Sequence, residues 1–249
     1  MSRLFEIKNL SKEFTDSTGF VNKLFSDLNF SFTEGITTIL APVGSGKTTL
    51  LKIIAGLQNP TSGNVLTESE SLIFIPSQYS IFPWLNVKDN ILYDLKDIDV
   101  KEFKRVIEIV GLDGYEDHFP KSINSGFVFR VALARSIIRK PDLILVDEPF
   151  TDLNPTVLIK ILQLVRKIWE TESIPVLVGT TNISSALFLS DKIFLMQKNP
   201  GAIIYETDVK FNSGRDINLF NQPDFIEKKL KLESEINSLE SSKLHKFIM

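Results

Sequence analysis

Cysteine is missing from this chain of 249 residues, and histidine occurs only twice, as His118 and His245. The lack of thiols excludes disulfide frameworks, thiolate metal sites and cysteine nucleophiles, and it is typical of a reducing compartment. The sequence also has no run of about 18 apolar residues, which a membrane-spanning helix would need, and no secretory signal at its beginning. We therefore expect a cytoplasmic protein that contacts a membrane only through a partner.

A strong excess of charge of one sign is absent as well. The 28 Lys and Arg residues nearly balance the 31 Asp and Glu residues, which leaves a formal net charge of −3. Because no overall positive field would hold a phosphate backbone, nucleic acid is a disfavoured partner. The remaining composition, with 43% hydrophobic and 24% charged side chains, is that of a globular protein with a substantial core.

Short apolar segments of strand length recur along the chain, and helical patterns separate most of them. The alternation follows a β-rich beginning, is interrupted by a mostly helical middle that includes residues 100–110, and then resumes. It predicts a mainly parallel sheet covered by helices. Turn residues at 59–63 predict a turn. The predicted strands are residues 4–7, 28–32, 36–40, 72–75, 143–146, 176–179 and 192–196.

A glycine-rich loop joins the predicted strand 36–40 to an apolar helix, which is the context of a phosphate-binding P-loop. Gly44 and Gly46 allow the backbone to curl so that successive N–H groups point inward, where the helix dipole adds positive potential. Lys47 adds a full charge for the β and γ phosphates, and the Thr48 hydroxyl can ligate Mg²⁺. The nucleotide-binding loop reads Ala41-Pro42-Val43-Gly44-Ser45-Gly46-Lys47-Thr48-Thr49.

One position departs from the P-loop pattern, which normally begins with Gly but here has Ala41. If the backbone required a positive φ at this position, the Ala would cost about 1 kcal/mol, which weakens a phosphate site without abolishing it. The alternative is a chance Gly-Ser-Gly-Lys-Thr-Thr in an ordinary loop. The strand before it, the helix after it and a second motif downstream all argue against chance.

Two acidic residues, Asp147 and Glu148, follow the apolar strand 143–146. Uncompensated charge at the end of a buried strand is costly, so a cation is expected nearby. Ligands of an open α/β sheet bind at the carboxyl ends of its strands. Asp147 would then hold Mg²⁺ beside the P-loop, and Glu148 would activate the attacking water. The structural alternative is that both acids only cap a helix.

With these two motifs the chain resembles the nucleotide-binding subunit of an ABC transporter over nearly its whole length. Gln78, after the strand 72–75, matches the Q-loop, whose Gln in this family reaches Mg²⁺ and couples to the membrane subunit. Phe14 lies where the family has an aromatic residue that stacks on adenine, with Val21 beside it. The run 130–135 resembles the helix that follows the family's signature motif.

The resemblance implies an α/β fold of the P-loop NTPase type. This fold has a RecA-like, mostly parallel sheet, an N-terminal antiparallel β subdomain and an inserted helical subdomain. The resemblance divides the chain into an ABC-type nucleotide-binding domain at residues 1–218, with the helical subdomain at about 79–136, and a C-terminal helical tail at 219–249.

The tail is polar and helix-prone, with apolar residues at Phe225, Leu232, Ile236 and Leu239. This spacing indicates a surface helix that packs on its own domain. The alternative is a helix that binds a partner.

Further segments resemble a narrower group within the family, the importers of nitrate, sulfonates, taurine and thiamine precursors. In such systems the solute is selected by a binding protein and the membrane channel, and these segments carry packing rather than chemistry. The similar segments are residues 82–91, 148–150, 168–169, 200–204, 215–216 and 223–225.

The signature motif departs from the family pattern. Where it normally reads Leu-Ser-Gly-Gly-Gln, this chain has Ile123, Asn124, Ser125, Gly126 and Phe127. In the family this helix N-terminus caps the γ-phosphate held by the opposing subunit, through its dipole, its N–H groups and the Ser hydroxyl. Asn124 could still cap the helix and donate through its amide, but Ser125 adds bulk where backbone approaches phosphate. We therefore expect a weakened contact.

The switch histidine is also missing, because the family's Thr-His-Asp appears here as Thr180-Thr181-Asn182, and the usual Asp of the D-loop is Asn154. Thr181 can hydrogen-bond but lacks the charge and reach of imidazole, which predicts the loss of its contact with the γ-phosphate and water. Losing one donor to transition-state charge commonly costs about 10²- to 10³-fold in rate.

The resemblance thus implies an importer subunit that binds ATP and Mg²⁺ and hydrolyses ATP weakly. Its implied partners are a transmembrane permease, a second ATP-binding subunit and a solute-binding protein, at the cytoplasmic face of the membrane.

One alternative is a largely non-hydrolytic subunit paired with a competent homologue. A non-transport ABC protein is disfavoured by the charge and the single P-loop. The assigned residues are, for the metal, Thr48, Gln78 and Asp147, and for catalysis, Glu148, Lys47 and Gln78.

Overall fold

The computed structural model describes residues 4–78, 81–120, 125–148, 153–212 and 214–247, with side chains described up to residue 238. The strands are β1 (Phe5–Thr15), β2 (Val21–Phe32), β3 (Ile36–Leu40), β4 (Ser62–Thr67), β5 (Leu72–Ile75), β6 (Leu143–Asp147), β7 (Val176–Thr180), β8 (Lys192–Gln197) and β9 (Ala202–Asp208). The helices are α1 (Lys47–Ile54), α2 (Val87–Leu92), α3 (Val100–Val110), α4 (Ser125–Ile137), α5 (Pro155–Glu172), α6 (Ile183–Leu189) and α7 (Pro223–Phe247), with a 3-10 helix at Ile217–Asn221.

A six-stranded sheet forms the centre of the fold, in the order β5-β6-β7-β3-β8-β9. Its first five strands in that order run parallel, and β9 pairs antiparallel with β8 at the edge. This arrangement confirms the predicted α/β fold with a mostly parallel sheet. β9 lies outside the predicted strands, and its half-buried side chains are those of an edge strand rather than of a fully apolar one.

Strands β2, β1 and β4 form a separate antiparallel sheet, as the family resemblance implies for the N-terminal part of the chain. β4 begins inside the segment 59–63 whose composition predicts a turn. Its residues pair with β1, for example Val65 with Ile7. Long-range pairing therefore extends a strand into a segment whose local preference is for a turn.

The parallel sheet is buried on both faces, and its apolar side chains alternate between two cores. In β6, Leu143 and Leu145 face the core shared with α1 and the antiparallel sheet. Ile144 and Val146 face the core shared with the other helices. Burial of both faces explains why this strand reads as a continuous apolar run.

Helices α2, α3 and α4 lie between β5 and β6 in the chain, in the segment with the helical pattern. Arg135 of α4 joins α2 by donating to the backbone carbonyl of Asn90 at 2.7 Å and to its Oδ1 at 2.6 Å. Asn90 is fully buried and also accepts from the N–H of Phe82 at 2.8 Å. Burial lowers the pKa of Arg135 to about 10. The domain boundaries near 79, 136 and 218 stay predictions.

The tail forms α7, whose first half packs on the body of the protein. Phe225 and Leu232 are buried, and Ile236 packs against the same core, as expected for a surface helix that packs on its own domain. Leu239 lies beyond the described side chains. Throughout the described residues, no helix is both long enough and apolar enough to cross a membrane.

A mostly buried arginine, Arg215, ties the segment before the tail to α6. Arg215 Nη1 donates to the carbonyls of Leu187 and Phe188 at 2.8 and 2.6 Å. Its Nη2 donates to those of Ser190 and Val209 at 2.6 and 2.9 Å. Burial lowers the pKa of Arg215 to about 10, so the side chain remains charged at neutral pH. It supplies donors to carbonyls that the end of a helix leaves without partners.

We predict that Arg215→Met lowers the free energy of unfolding by about 2–4 kcal/mol, because it leaves buried carbonyls without a donor. Urea unfolding at pH 7 measures the difference. Lys210→Met, at an exposed position on the same segment, is the matched control and should change the free energy by less than about 0.5 kcal/mol. Equal losses in the two variants would contradict the role assigned to Arg215.

Candidate functional site

The predicted phosphate loop joins β3 to α1 in a conformation that requires glycine. Gly44 and Gly46 have φ values of 82° and 94°, a left-handed region that other residues rarely adopt. A Cβ at Gly46 would also lie 2.8 Å from Leu24 Cγ and 3.0 Å from Phe25 Cδ1. The loop therefore rests directly on β2, a contact that the local motif does not reveal.

The first residue of the motif fits its position without strain. Ala41 is buried and does not have a positive φ, so the penalty considered for replacing glycine does not arise. Its N–H donates to the carbonyl of Thr180 at 3.1 Å, which extends the pairing between β3 and β7. The carbonyl of Pro42 then accepts from the N–H of Ser45 at 3.3 Å and turns the chain into the loop.

Asp147, at the end of β6, contacts the beginning of α1. Thr48 Oγ1 donates to Asp147 Oδ2 at 2.8 Å. The other carboxylate oxygen, Oδ1, is buried and has no hydrogen-bond partner among the described residues, and burial raises the pKa of Asp147. A buried, uncompensated oxygen beside a hydroxyl suits a hard cation such as Mg²⁺. These two residues therefore fit the metal that their motifs predict.

Glu148 turns its carboxylate toward the loop. Its Oε1 lies 2.8 Å from Lys47 Nζ. Its Oε2 accepts from Thr180 Oγ1 and from the N–H of Thr181, each at 3.3 Å. The Glu148 backbone has a positive φ of 42°, and its N–H donates to the carbonyl of Gly179 at 2.8 Å. A strained residue held by its surroundings is common at functional sites, and here the carboxylate lies between the loop lysine and the end of β7.

A cleft of about 340 Å³ opens beside these groups. Two of its features carry no signal in the motifs: Leu24 lines it, and Gly179 leaves room for the stem of Lys47, since a Cβ at Gly179 would lie 2.9 Å from Lys47 Cγ. The structure thus brings most of the predicted loop and one catalytic acid to one cleft. Its lining is Leu24, Val43, Gly44, Ser45, Gly46, Lys47, Thr48, Thr49 and Glu148.

Several predicted residues do not line this cleft. Ala41, Pro42 and Asp147 adjoin the loop without lining the cleft, whereas Phe14, Val21 and Gln78 lie in or after other strands. Phe14 and Val21 lie near the turn of the β1–β2 hairpin and are half exposed, with Lys12 Nζ 5.0 Å from the centre of the Phe14 ring. Gln78 is exposed and follows β5, the neighbour of β6 in the sheet. The assignment of Phe14, Val21 and Gln78 to adenine and Mg²⁺ stays a prediction.

The degenerate signature lies at the beginning of α4. Ser125 is the first residue of this helix, and Gly126 is buried in it. Phe127 packs edge-on against Tyr115, with ring centres 5.5 Å apart. Asn124, the predicted cap and phosphate donor, lies outside the described residues, so its role stays a prediction.

Two asparagines that stand where the family has Asp act as helix caps. Asn154 Oδ1 accepts from the N–H of Val157 at 2.9 Å at the beginning of α5. Asn182 Oδ1 accepts from the N–H of Ser185 at 2.8 Å at the beginning of α6. Both side chains satisfy N–H groups that a helix leaves without partners at its start.

The strand, loop and helix around Lys47, with two acids at the end of a neighbouring strand, define a P-loop nucleotide-binding protein. Residues 25–151 match the ABC transporter family. The aliphatic sulfonates import ATP-binding protein SsuB of Bacillus cereus is 36% identical over 246 residues, which cover 94% of this chain and 96% of that protein. The chain belongs to the ABC transporter family of ATP-binding proteins.

Solved structures share the fold. CbiO1 from Clostridium perfringens, part of the ABC transporter complex cbiONQ, has a TM-score of 0.76 at 19% identity, covering 97% of this chain and 100% of that chain. The ATP-binding cassette MJ0796, in a dimeric post-hydrolysis state bound to ADP and Pi, has a TM-score of 0.71 at 24% identity, covering 83% of this chain and 99% of that one. These likenesses confirm the predicted P-loop NTPase fold.

We predict that Asp147→Asn raises the melting temperature of the protein at pH 7 when no nucleotide is added. Burial raises the pKa of Asp147 above its ordinary value of 3.8, so folding favours the neutral acid and the carboxylate present at pH 7 is destabilising. The advantage of the variant should shrink as the pH falls through the raised pKa, where the wild-type side chain also becomes neutral.

Thermal unfolding over a series of pH values measures this effect. Asp113→Asn, which changes an exposed carboxyl, is the control and should alter the melting temperature little at any pH. A melting temperature of Asp147→Asn equal to or below that of the wild type at pH 7 would show that desolvation is not the dominant influence on this acid.

Proposed function

We propose that this chain is the ATP-binding subunit of a membrane importer, which binds Mg-ATP, dimerises and couples ATP binding and slow hydrolysis to uptake through a permease. One observation carries the proposal. A hydroxyl and a carboxylate oxygen left unpaired by the described residues, both suited to bind Mg²⁺, lie beside a lysine that is suited to bind phosphate. The hydroxyl and carboxylate belong to Thr48 and Asp147, and the lysine is Lys47.

The contacts of Glu148 suggest how its role changes when phosphate enters the cleft. In this structure Lys47 and Glu148 neutralise each other, and phosphate oxygens would compete with the carboxylate for the lysine. Glu148 would keep its two other donors, Thr180 Oγ1 and the N–H of Thr181. A carboxylate oriented in this way can accept a proton from an attacking water. Bound Mg²⁺ would supply neutralisation of the phosphate charge.

The altered residues support weakened turnover. Thr181 has no imidazole with which to reach a γ-phosphate, and it contacts Glu148 through its backbone. Ser125 stands at the beginning of α4, where the family pattern has glycine. Each lost donor to transition-state charge costs about 10²- to 10³-fold. Binding of Mg-ATP therefore has better support than rapid hydrolysis.

The proposed assembly contains two ATP-binding subunits and a permease at the cytoplasmic face of the membrane, with a solute-binding protein and no nucleic acid. We propose residues 1–218 as the nucleotide-binding domain, with a helical subdomain at about 79–136, and 219–249 as the tail. The name of the Bacillus cereus relative includes aliphatic sulfonates, so sulfonates are the first solute class to test in uptake assays.

We predict that Mg-ATP at about 100 times its dissociation constant stabilises the wild-type protein by about 2.7 kcal/mol and that Lys47→Ala loses most of this stabilisation. The reason is the loss of the main positive charge in the cleft. Differential scanning fluorimetry with and without Mg-ATP measures the effect. Glu148→Gln is the matched control, since it removes the proposed base but should leave binding intact. Full stabilisation of Lys47→Ala would refute the site assignment.

We predict that the combined replacement Thr181→His, Asn124→Ser and Ser125→Gly raises the ATPase rate by about 10²-fold or more, because it restores donors to transition-state charge. Phosphate release is measured for the purified chain and for its complex with the permease. Adding Glu148→Gln to the combined variant should abolish the gained activity. A fast wild-type rate for the chain alone would exclude the largely non-hydrolytic alternative, and no gain in the combined variant would place the defect elsewhere.

A further inference from the structure

Gly201, in the turn between β8 and β9, touches the phosphate loop. Gly201 donates its N–H to the carbonyl of Leu24 at 2.7 Å and pairs with Phe25 in an isolated bridge. A Cβ at Gly201 would lie 2.5 Å from the carbonyl O of Ser45, far inside a normal contact distance. The loop and this turn therefore meet without an intervening side chain.

The direction of the Ser45 carbonyl also decides where the next amide points. A trans peptide is planar, so the C=O of Ser45 and the N–H of Gly46 point in opposite directions. Because the Ser45 oxygen faces Gly201, the Gly46 N–H faces away from the β8–β9 turn. Gly46 and Lys47 both line the cleft, so a Gly46 N–H that faces away from the turn can reach a ligand held there.

The turn around Gly201 is held by backbone pairing on both sides. Gly201 lies between its bridge to Phe25 and the β8–β9 ladder, in which Gln197 pairs with Ala202. Ser45 makes a long hydrogen bond of 3.3 Å from its N–H to Pro42. A side chain added at Gly201 would therefore press against the Ser45 peptide.

We propose that Gly201 is a positioning residue of the nucleotide site. The lack of a side chain at Gly201 allows the Ser45 carbonyl to turn away from the cleft, which aims the Gly46 N–H at a phosphate oxygen. The proposal rests on the proposed binding of ATP in this cleft. Gly201 acts through the Ser45–Gly46 peptide and makes no contact with the nucleotide itself.

The test compares Gly201→Ala with Gly214→Ala in the full chain. Neither glycine has a positive φ, and a Cβ at Gly214 would meet no atom within 4 Å, so it is a matched control. Calorimetry measures the dissociation constant of Mg-ATP, and thermal unfolding measures stability without nucleotide. We expect Gly201→Ala to weaken binding about tenfold to a hundredfold, the value of one hydrogen bond to a charged group. The crowding of the added Cβ should also lower the melting temperature. Gly214→Ala should change neither quantity.

A second variant separates the loop from a neighbouring side chain. Met196 Cε also lies 2.5 Å from the Cβ position at Gly201, and Met196→Leu shortens this side chain at similar volume. The double variant Met196→Leu, Gly201→Ala should still bind weakly, whereas Met196→Leu alone should bind as the wild type does. In ¹⁵N spectra, Mg-ATP should shift the Gly46 amide in the wild type and not in Gly201→Ala.

Three results would overturn the proposal: wild-type affinity in Gly201→Ala, recovery of affinity in the double variant, or a Gly46 amide in Gly201→Ala that Mg-ATP shifts as it does in the wild type. The wild-type titration distinguishes these from a failure of the proposed function. If the wild-type protein does not bind Mg-ATP, the function assigned to the cleft is wrong. If it binds and one of the three results is found, only the role of Gly201 is wrong.

Discussion

The register of three adjacent parallel strands is the constraint on which the candidate site depends. β3, β7 and β6 are neighbours in the sheet, with Leu40 paired to Thr180 and Asp147 to Gly179. Their carboxyl ends therefore reach one edge together, where the phosphate loop and the acids leave an apolar interior. Because side chains alternate along a strand, a slip of one residue in β6 would exchange its two core faces and separate Asp147 from Thr48.

Burial of the strand ends also determines the electrostatics of the two acids in the candidate site. Asp147 leaves a strand that is apolar on both faces, and its Oδ1 has no partner among the described residues. Glu148, one residue farther along, reaches Lys47 and the backbone that follows β7. The two adjacent acids therefore differ in their surroundings. Within the described part of the chain, Asp147 keeps an unpaired oxygen in a desolvated position, whereas both carboxylate oxygens of Glu148 have partners. This difference supports the proposed division between metal binding and proton transfer.

Local patterns predicted several elements of the fold, although they missed β9 and most of β1 and β2. Helix α3 and strand β5 have the predicted bounds 100–110 and 72–75, and the loop and acid motifs belong to short continuous segments. The approach of Asp147 to Thr48 was predictable from the rule that ligands bind at the carboxyl ends of parallel strands. Other contacts between distant segments were not, because no local period or turn preference encodes them. β4 overrides a turn signal by pairing with β1, and Leu24 and Gly201 meet the phosphate loop only in the folded chain.

The two capping asparagines show why departures from the family pattern can change chemistry while the fold is kept. The Oδ1 atoms of Asn154 and Asn182 accept backbone N–H groups at the starts of α5 and α6. An Asp carboxylate at these positions would make the same cap, so the helices tolerate the exchange. Only the negative charge is lost, and an N-cap depends mainly on the accepting oxygen, which Asn and Asp both supply. Thr181 differs in the same way, since its contact with Glu148 uses a backbone N–H that any residue but proline could supply. The fold and the phosphate cleft depend on atoms that these replacements preserve, which is why we propose that ATP binding is retained while hydrolysis is weakened.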